Sequence, residues 1–249
     1  MNIYIVRHAQ SRGNVENPEN YAYLPELAEY ELRDPSLTEQ GRWQADRLGQ
    51  RLTQVDFDYI FSGPLHRHLE TAYGVARHQK KCKTVEIIPD LTEVYHENRN
   101  ALPQDILERL MPDINIIPSP VPTRTGGPMP DEATEEDDSP DGYSRRAHRV
   151  IDFLKKNVPY RANVLLVTSR LFGGALLMPH MLGAPDELVK KSMPFGFHNA
   201  AISLIRFKNL NAPDEYPFCE FSNDFTHLIC TDLEDASKLP LPSAFSAEN

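Results

Sequence analysis

The sequence predicts an α/β fold, a three-layer sandwich in which helices cover both faces of a mostly parallel central sheet. Two observations point there. Short apolar runs suited to buried strands alternate with longer stretches whose apolar residues recur at helical spacing. The chain of 249 residues, 40% hydrophobic and 25% charged, is also the right size and composition for one domain with a sizeable core.

Ile3-Tyr4-Ile5-Val6 is the first strand. Thr38 is placed to cap a helix whose inner face is Ala45, Leu48, Leu52 and Val55. Tyr59-Ile60-Phe61 is a second strand, and Leu65, Leu69, Ala72 and Val75 or Ala76 mark the helix behind it. Val85-Glu86-Ile87-Ile88 is a third strand. From Pro112 to Gly142 the periodicity gives way to Pro118, Pro120, Pro122, Pro128, Pro130, Gly126-Gly127 and an acidic run from Asp131 to Asp141, which reads as a long loop inserted in the single domain 1–249. A helix resumes from Tyr143 to Asn157, with Ala147, Val150, Ile151 and Leu154 inward and its basic residues elsewhere. Val164 to Val167 is a buried-type strand and Leu176 to Leu182 a helix; Ala200 to Phe207 and Phe218 to Phe221 are further strands, and the tail after Asp232 is polar.

A formal net charge of −10 disfavours nucleic acid and anionic lipid as partners, since both require a basic face. No apolar stretch approaches the roughly 20 residues of a membrane span, and no basic leader with a long apolar segment opens the chain, so cytoplasmic residence is expected. Cys82, Cys219 and Cys230 have no metal-ligand spacing and read as reduced core thiols. No G-x-G-x-x-G or G-x-x-x-x-G-K loop is present, which argues against a generic nucleotide-binding sheet.

The chemistry starts where the first strand ends. Arg7-His8 puts a cation and an imidazole together at a sheet edge, a combination suited to phosphate. In chain order there follow Ser36-Leu37-Thr38-Glu39-Gln40-Gly41-Arg42, then Ser62-Gly63-Pro64-Leu65-His66-Arg67-His68-Leu69-Glu70-Thr71-Ala72, then Leu91-Thr92-Glu93. Together with Arg7-His8-Ala9-Gln10-Ser11 and Asn14, this set resembles the histidine phosphatase superfamily, also called phosphoglycerate-mutase-like, in motif order and spacing. Val164 to Gly183 is similar to that family's second-histidine strand and helix.

The resemblance implies phosphomonoester hydrolysis without a cofactor, through a phosphohistidine on His8, with a small phosphomonoester or phosphate as partner. It implies Arg7 and Arg67 as charge-stabilising groups, Asn14 in a phosphate-binding turn and Glu93 as the acid that protonates the leaving group, with Glu97 in reserve. An ion pair of Arg67 with Glu70 on its own helix is the alternative use of that cation. Mutase activity is disfavoured, because Val94-Tyr95-His96-Glu97-Asn98 lacks the expected Arg and Tyr-Gly pattern. The family also places its substrate-covering insertion near residues 112–142; for the acidic run a solvated spacer is the preferred reading.

One departure stands out. Ser169 occupies the place of the family's second catalytic histidine, and Arg170 that of the glycine after it, whereas Ala9 is a mild change from glycine. Loss of one preorganised donor costs about 10² to 10³ in turnover, so reduced activity is expected, with Ser169 and Arg170 as phosphate-binding residues and Arg170 partly replacing the lost charge. The alternative is a catalytically silent phosphate-binding or protein-interaction member. Of the other histidines, His66, His68 and His78 read as surface residues, with His66, inside the Arg67 segment, placed where it could line the rim. His96 and His148 are weak candidates for the substrate-covering region, His180 is a helix residue, His198 is placed to face the pocket, and His227 is structural. No histidine and carboxylate pair has metal spacing, so no metal is expected.

Overall fold

The computed structural model describes residues 1–15, 34–94, 102–118, 138–191, 197–207 and 217–229. Seven strands form one sheet in the order β4-β3-β2-β5-β1-β6-β7. They are β1 (Asn2–Arg7), β2 (Tyr59–Ser62), β3 (Thr84–Ile87), β4 (Asn115–Pro118), β5 (Asn163–Thr168), β6 (Ile202–Arg206) and β7 (Phe218–Asp224). The first five run parallel, and β6 and β7 join antiparallel at one edge.

Side-chain alternation along the central strands explains the layers. In β1, Ile3 and Ile5 join one apolar cluster while Tyr4 and Val6 join the other; in β5, Val164 and Leu166 divide from Leu165 and Val167 in the same way. A strand that is apolar on both faces needs cover on both. Helices α1 (Glu39–Arg51) and α2 (His66–Ala76) cover the Tyr4 face. The Ile3 face is covered by α4 (Pro140–Asn157), a wide-turned π-helix (Arg170–Leu177) and α5 (Met178–Met181), with Val189 of α6 (Asp186–Lys191) beyond them. The short α3 (Gln104–Leu110) precedes β4, and α7 (Thr226–Ile229) follows β7. No helix among the described residues is long and apolar enough to cross a membrane.

Thr38 caps α1 as its sequence suggests, its Oγ1 accepting the Gly41 N–H at 2.9 Å. Gly41 is required by proximity: a Cβ there would lie 1.9 Å from the Gln10 carbonyl oxygen, so the start of α1 rests directly on the loop that leaves β1. Ser139 caps α4 in the same manner, with proline in the first turn, and the helix starts before Tyr143.

The stretch expected to be loop from Pro112 contains β4. Four residues ending in proline are too short to show a period, and proline is tolerated because β4 is the edge strand. Residues 119–137, which hold most of the proline-rich and acidic insertion, lie outside the described residues. The helix expected from Leu176 begins at Arg170, because Ser169 already accepts the Gly173 N–H. Cys82 and Cys219 are free and half-buried rather than fully in the core; Cys230 lies outside the described residues.

Candidate active site

Strands β2, β5 and β1 are parallel neighbours and end within one residue of one another, Ser62 opposite Val167 and Thr168 opposite Arg7. The residues that follow are therefore Gly63, Ser169 and His8, side by side at the carboxyl edge of the sheet, where open α/β sheets bind ligands.

His8 is buried, and its backbone N–H donates to the Thr168 carbonyl at 2.8 Å. Its Nδ1 lies 2.8 Å from the Ala9 carbonyl oxygen. A carbonyl only accepts, so Nδ1 carries the ring proton and Nε2 keeps its lone pair. Burial, followed by the Arg67 and Arg7 guanidiniums, holds the His8 pKa well below its usual 6.5. The ring is thus a neutral base set among cations.

Arg7 donates to the Phe197 carbonyl at 2.6 Å. Burial lowers its pKa to about 10; Glu93 opposes that shift, while Arg170 and Arg67 add to it, so four charged groups converge on this edge. Arg67 enters from the first turn of α2, is buried, and lies 3.7 Å from Asp34. The Glu70 carboxylate accepts the Leu37 N–H at 2.6 Å and faces Arg42 at 3.6 Å. Arg170 is exposed and close enough to Arg7 to act on it electrostatically. Glu93 is partly buried, and its Oε1 accepts the Leu171 N–H at 2.5 Å in the first turn of the π-helix.

Asn14 is exposed, and its Oδ1 accepts from the Ser11 N–H at 3.1 Å and the Ser11 hydroxyl at 3.2 Å, which fixes the turn after His8. Asn199 donates to both the His8 carbonyl at 2.9 Å and Asn14 Oδ1 at 3.2 Å. Beside it Ala200 has φ 56°, in the left-handed region alanine disfavours, and its N–H reaches the Arg7 carbonyl at 3.1 Å. Thr71 explains the threonine of the Arg67 segment: it accepts the Ala9 N–H at 3.0 Å and donates to the Arg67 carbonyl at 2.7 Å, joining the two cation-bearing elements.

Two histidines expected on the surface are buried. His66 has its N–H bonded to Asp34 Oδ2 at 2.7 Å and its ring 3.7 Å from Glu70. His68 is fully buried; its Nε2 lies 2.7 Å from Ser169 Oγ and its ring centroid 5.4 Å from that of His8. Helical periodicity places Leu65, Leu69 and Ala72 inside and leaves His66 and His68 for solvent, but the first turn of α2, which also carries Arg67, points at the site and buries these polar positions as well. The sequence signal for His68 was Gly63, since a Cβ there would lie 2.3 Å from His68 Nδ1.

Arg146 departs from the expectation that the basic residues of its helix lie away from the inward face. It is fully buried, lies over the Phe172 ring at 4.5 Å, and donates to the carbonyls of Thr92, Asp90 and Glu93. Arg149 grips Asp90 at 2.8 and 2.6 Å. Together they hold the segment that carries Glu93.

His198 is exposed, hydrogen-bonded to Asn223 and tilted against the Phe225 ring at 4.2 Å, so it packs on the end of β7. His78 pairs with Asp46 at 2.7 Å, and His227 is buried with a pKa lowered to about 4 by burial. His148 and His180 each place Nε2 at 3.1 Å from Asp186 Oδ1, a clasp joining α4, α5 and α6 that spacing did not reveal. These three are the one group of metal-type donors brought together among the described residues. Glu97 and His96 lie outside the described residues.

The sequence pattern of the histidine phosphatase superfamily (branch 1) matches residues 3–212. The chain belongs to that family. Curated relatives include a 2,3-bisphosphoglycerate-dependent phosphoglycerate mutase of Pseudoalteromonas atlantica, 35% identical over 75 residues that are 30% of this chain and 33% of the mutase. A phosphoserine phosphatase 1 of Hydrogenobacter thermophilus is 33% identical over 97 residues, 38% of this chain and 39% of that protein. The matched segments thus span well under half the length of either relative. Among solved structures, a phosphoserine phosphatase of Entamoeba histolytica in complex with 3-phosphoglyceric acid superposes with TM-score 0.53 at 20% identity, covering 91% of this chain and 98% of that one. An alpha-ribazole phosphatase of Shigella flexneri gives 0.52 at 20% identity, covering 90% and 96%. At these identities the structures establish the fold.

Proposed function

We propose that the chain hydrolyses phosphomonoesters in two displacements through a phosphohistidine on His8. Nε2 of His8 attacks phosphorus in line; the P–N bond forms, the ester P–O bond breaks, and the departing alkoxide takes a proton from the Glu93 carboxylic acid. Water then gives a proton to the Glu93 carboxylate as it attacks the phosphohistidine. The P–N bond breaks, and inorganic phosphate leaves with the imidazole restored. Arg7 and Arg67 hold the equatorial oxygens throughout, which is where most of the rate enhancement of phosphoryl transfer arises. The Asn14 amide nitrogen and Arg170 complete the phosphate contacts at the mouth. Every proton and electron pair is supplied by side chains and water, so the reaction needs no cofactor.

The observation that carries this reading is the state of His8: a buried imidazole with its proton fixed on Nδ1, its lone pair on Nε2, and its charged form opposed by Arg67 and Arg7. A phosphate dianion is the complement of those cations. Hydrolysis is preferred to mutase transfer on the Val94–Asn98 sequence. The test is turnover of an aryl phosphate and a panel of sugar and nucleotide phosphates by the parent and by His8→Ala. Turnover that disappears in the variant supports the proposal. Absent turnover with retained phosphate binding supports a silent pocket instead.

A further inference from the structure

His68 has no part in that mechanism, and the phosphate contact expected of Ser169 is not used in it, yet both are buried beside His8. We propose that they act as one unit: His68, the positioning residue, aims the Ser169 hydroxyl at the transferred phosphoryl group, so that the second imidazole of this site comes from α2 rather than from the end of β5. The inference rests on the phosphatase reading above.

Three features of the geometry support it. Ser169 follows Thr168, the residue whose carbonyl takes the His8 N–H, so its hydroxyl and the nucleophile share the same strand ends. His68 spans the space between them, with its ring centroid 5.4 Å from that of His8 and Nε2 2.7 Å from Ser169 Oγ. Room for the ring is provided by Gly63, where any side chain would collide with Nδ1.

The proton positions follow from the partners. His68 Nδ1 is buried with no hydrogen-bond partner. A buried N–H without an acceptor is rarer and costlier than a buried lone pair without a donor, which favours the proton on Nε2. Nε2–H then donates to Ser169 Oγ. The serine hydrogen, having no need to satisfy the imidazole, is available to a phosphoryl oxygen. Burial, Arg67 and His8 all favour the neutral imidazole, so the pair adds a donor to the site without adding a further charge beside the guanidiniums. A histidine serving only to fill the core would satisfy the same burial, but its removal would act on stability and not on turnover.

The experiment is steady-state hydrolysis of p-nitrophenyl phosphate by the parent, His8→Ala, Ser169→Ala, His68→Ala, His68→Gln and the Ser169→Ala/His68→Ala pair, with circular dichroism as the fold check. The expected result is a loss of kcat of about 10²-fold for Ser169→Ala and for His68→Ala with little change in KM. The double variant is no slower than the worse single, because the two residues serve one donor. His68→Gln, whose amide N–H stands in for Nε2–H, recovers part of the loss. Should His68→Ala fail to fold, Ser169→Ala and His68→Gln carry the test. Parent-like kcat in folded Ser169→Ala and His68→Gln overturns the unit while leaving the phosphatase reading intact, as do single losses that multiply in the double variant. Turnover that persists in His8→Ala, or is absent from the parent, overturns both.

Discussion

Glu93 and Leu171 are joined across 78 positions of sequence, the carboxylate Oε1 accepting the Leu171 N–H at 2.5 Å. The bond fixes the candidate acid against the first turn of the π-helix, beside Ser169 and Arg170 and within electrostatic reach of Arg7. A loop carboxylate thereby gains the fixed position that proton transfer to a leaving group requires.

Replacement of that acid should depend on the leaving group. Glu93→Gln is expected to lower kcat/KM for an alkyl phosphate such as glycerol phosphate by about 10²-fold or more. For p-nitrophenyl phosphate, whose leaving group departs unprotonated, the loss should be below about tenfold. Equal losses with the two substrates would remove Glu93 from the acid role.

Of the three arginines assigned to phosphate, Arg67 and Arg170 should separate by burial. Arg67 is buried and acts on His8, whereas Arg170 is exposed. Arg67→Ala should lower kcat by about 10²- to 10³-fold. Arg170→Ala should act mainly on KM, by less than about tenfold, because an exposed cation is screened. Steady-state kinetics at two salt concentrations distinguishes them.

Arg146 supports the acid from beneath. Its guanidinium, held between Asp138 at 3.3 Å and the carbonyls of Asp90, Thr92 and Glu93, has no access to solvent. Arg146→Ala should destabilise the protein by about 3 kcal/mol or more in a urea melt. Activity should fall at temperatures where the variant is still folded, because the Glu93 segment loses its anchor.

Stability should decline on the acid side. His8 and His68 are held well below 6.5 chiefly by burial, and His227 is lowered to about 4. Facing these rings are Arg67 and Arg7 at His8, Arg67 at His68, and Asp224, Arg51 and Arg47 at His227. The unfolded chain takes up protons at these positions near pH 6.5 while the folded chain does not, so their contribution is complete above that pH and is lost as pH falls below it. From about pH 6.5 to 4, His227 alone accounts for roughly 3 kcal/mol. Urea midpoints measured from pH 8 to 4 should hold steady down to about 6.5 and then fall; a flat profile to pH 4 would mean these rings are protonated in the native state.

Much of the fold was legible because the central strands are apolar on both faces and their neighbours carry helical stripes. The Thr38 cap, the Arg67 helix and the strand that delivers His8 just past its end follow from local pattern alone. What escaped depended on packing at a distance. Four residues of an edge strand, Asn115–Pro118, have no room for periodicity. His68 and Arg146 sit at polar positions of amphipathic helices, where solvent is the ordinary expectation, and are buried because the site and the Glu93 segment lie against those faces. Gly63 was visible in the sequence, but its meaning appears only when the ring it accommodates is seen.

The central claim is a covalent bond from His8 to phosphorus. The direct measurement is to mix the protein with a phosphomonoester, quench in alkaline denaturant to preserve phosphohistidine, and locate the phosphate by peptide mass spectrometry. Phosphate on the peptide bearing His8, absent from His8→Ala, is the predicted result. Turnover that continues in His8→Ala, or that proceeds with no phosphate ever found on that peptide, would contradict it.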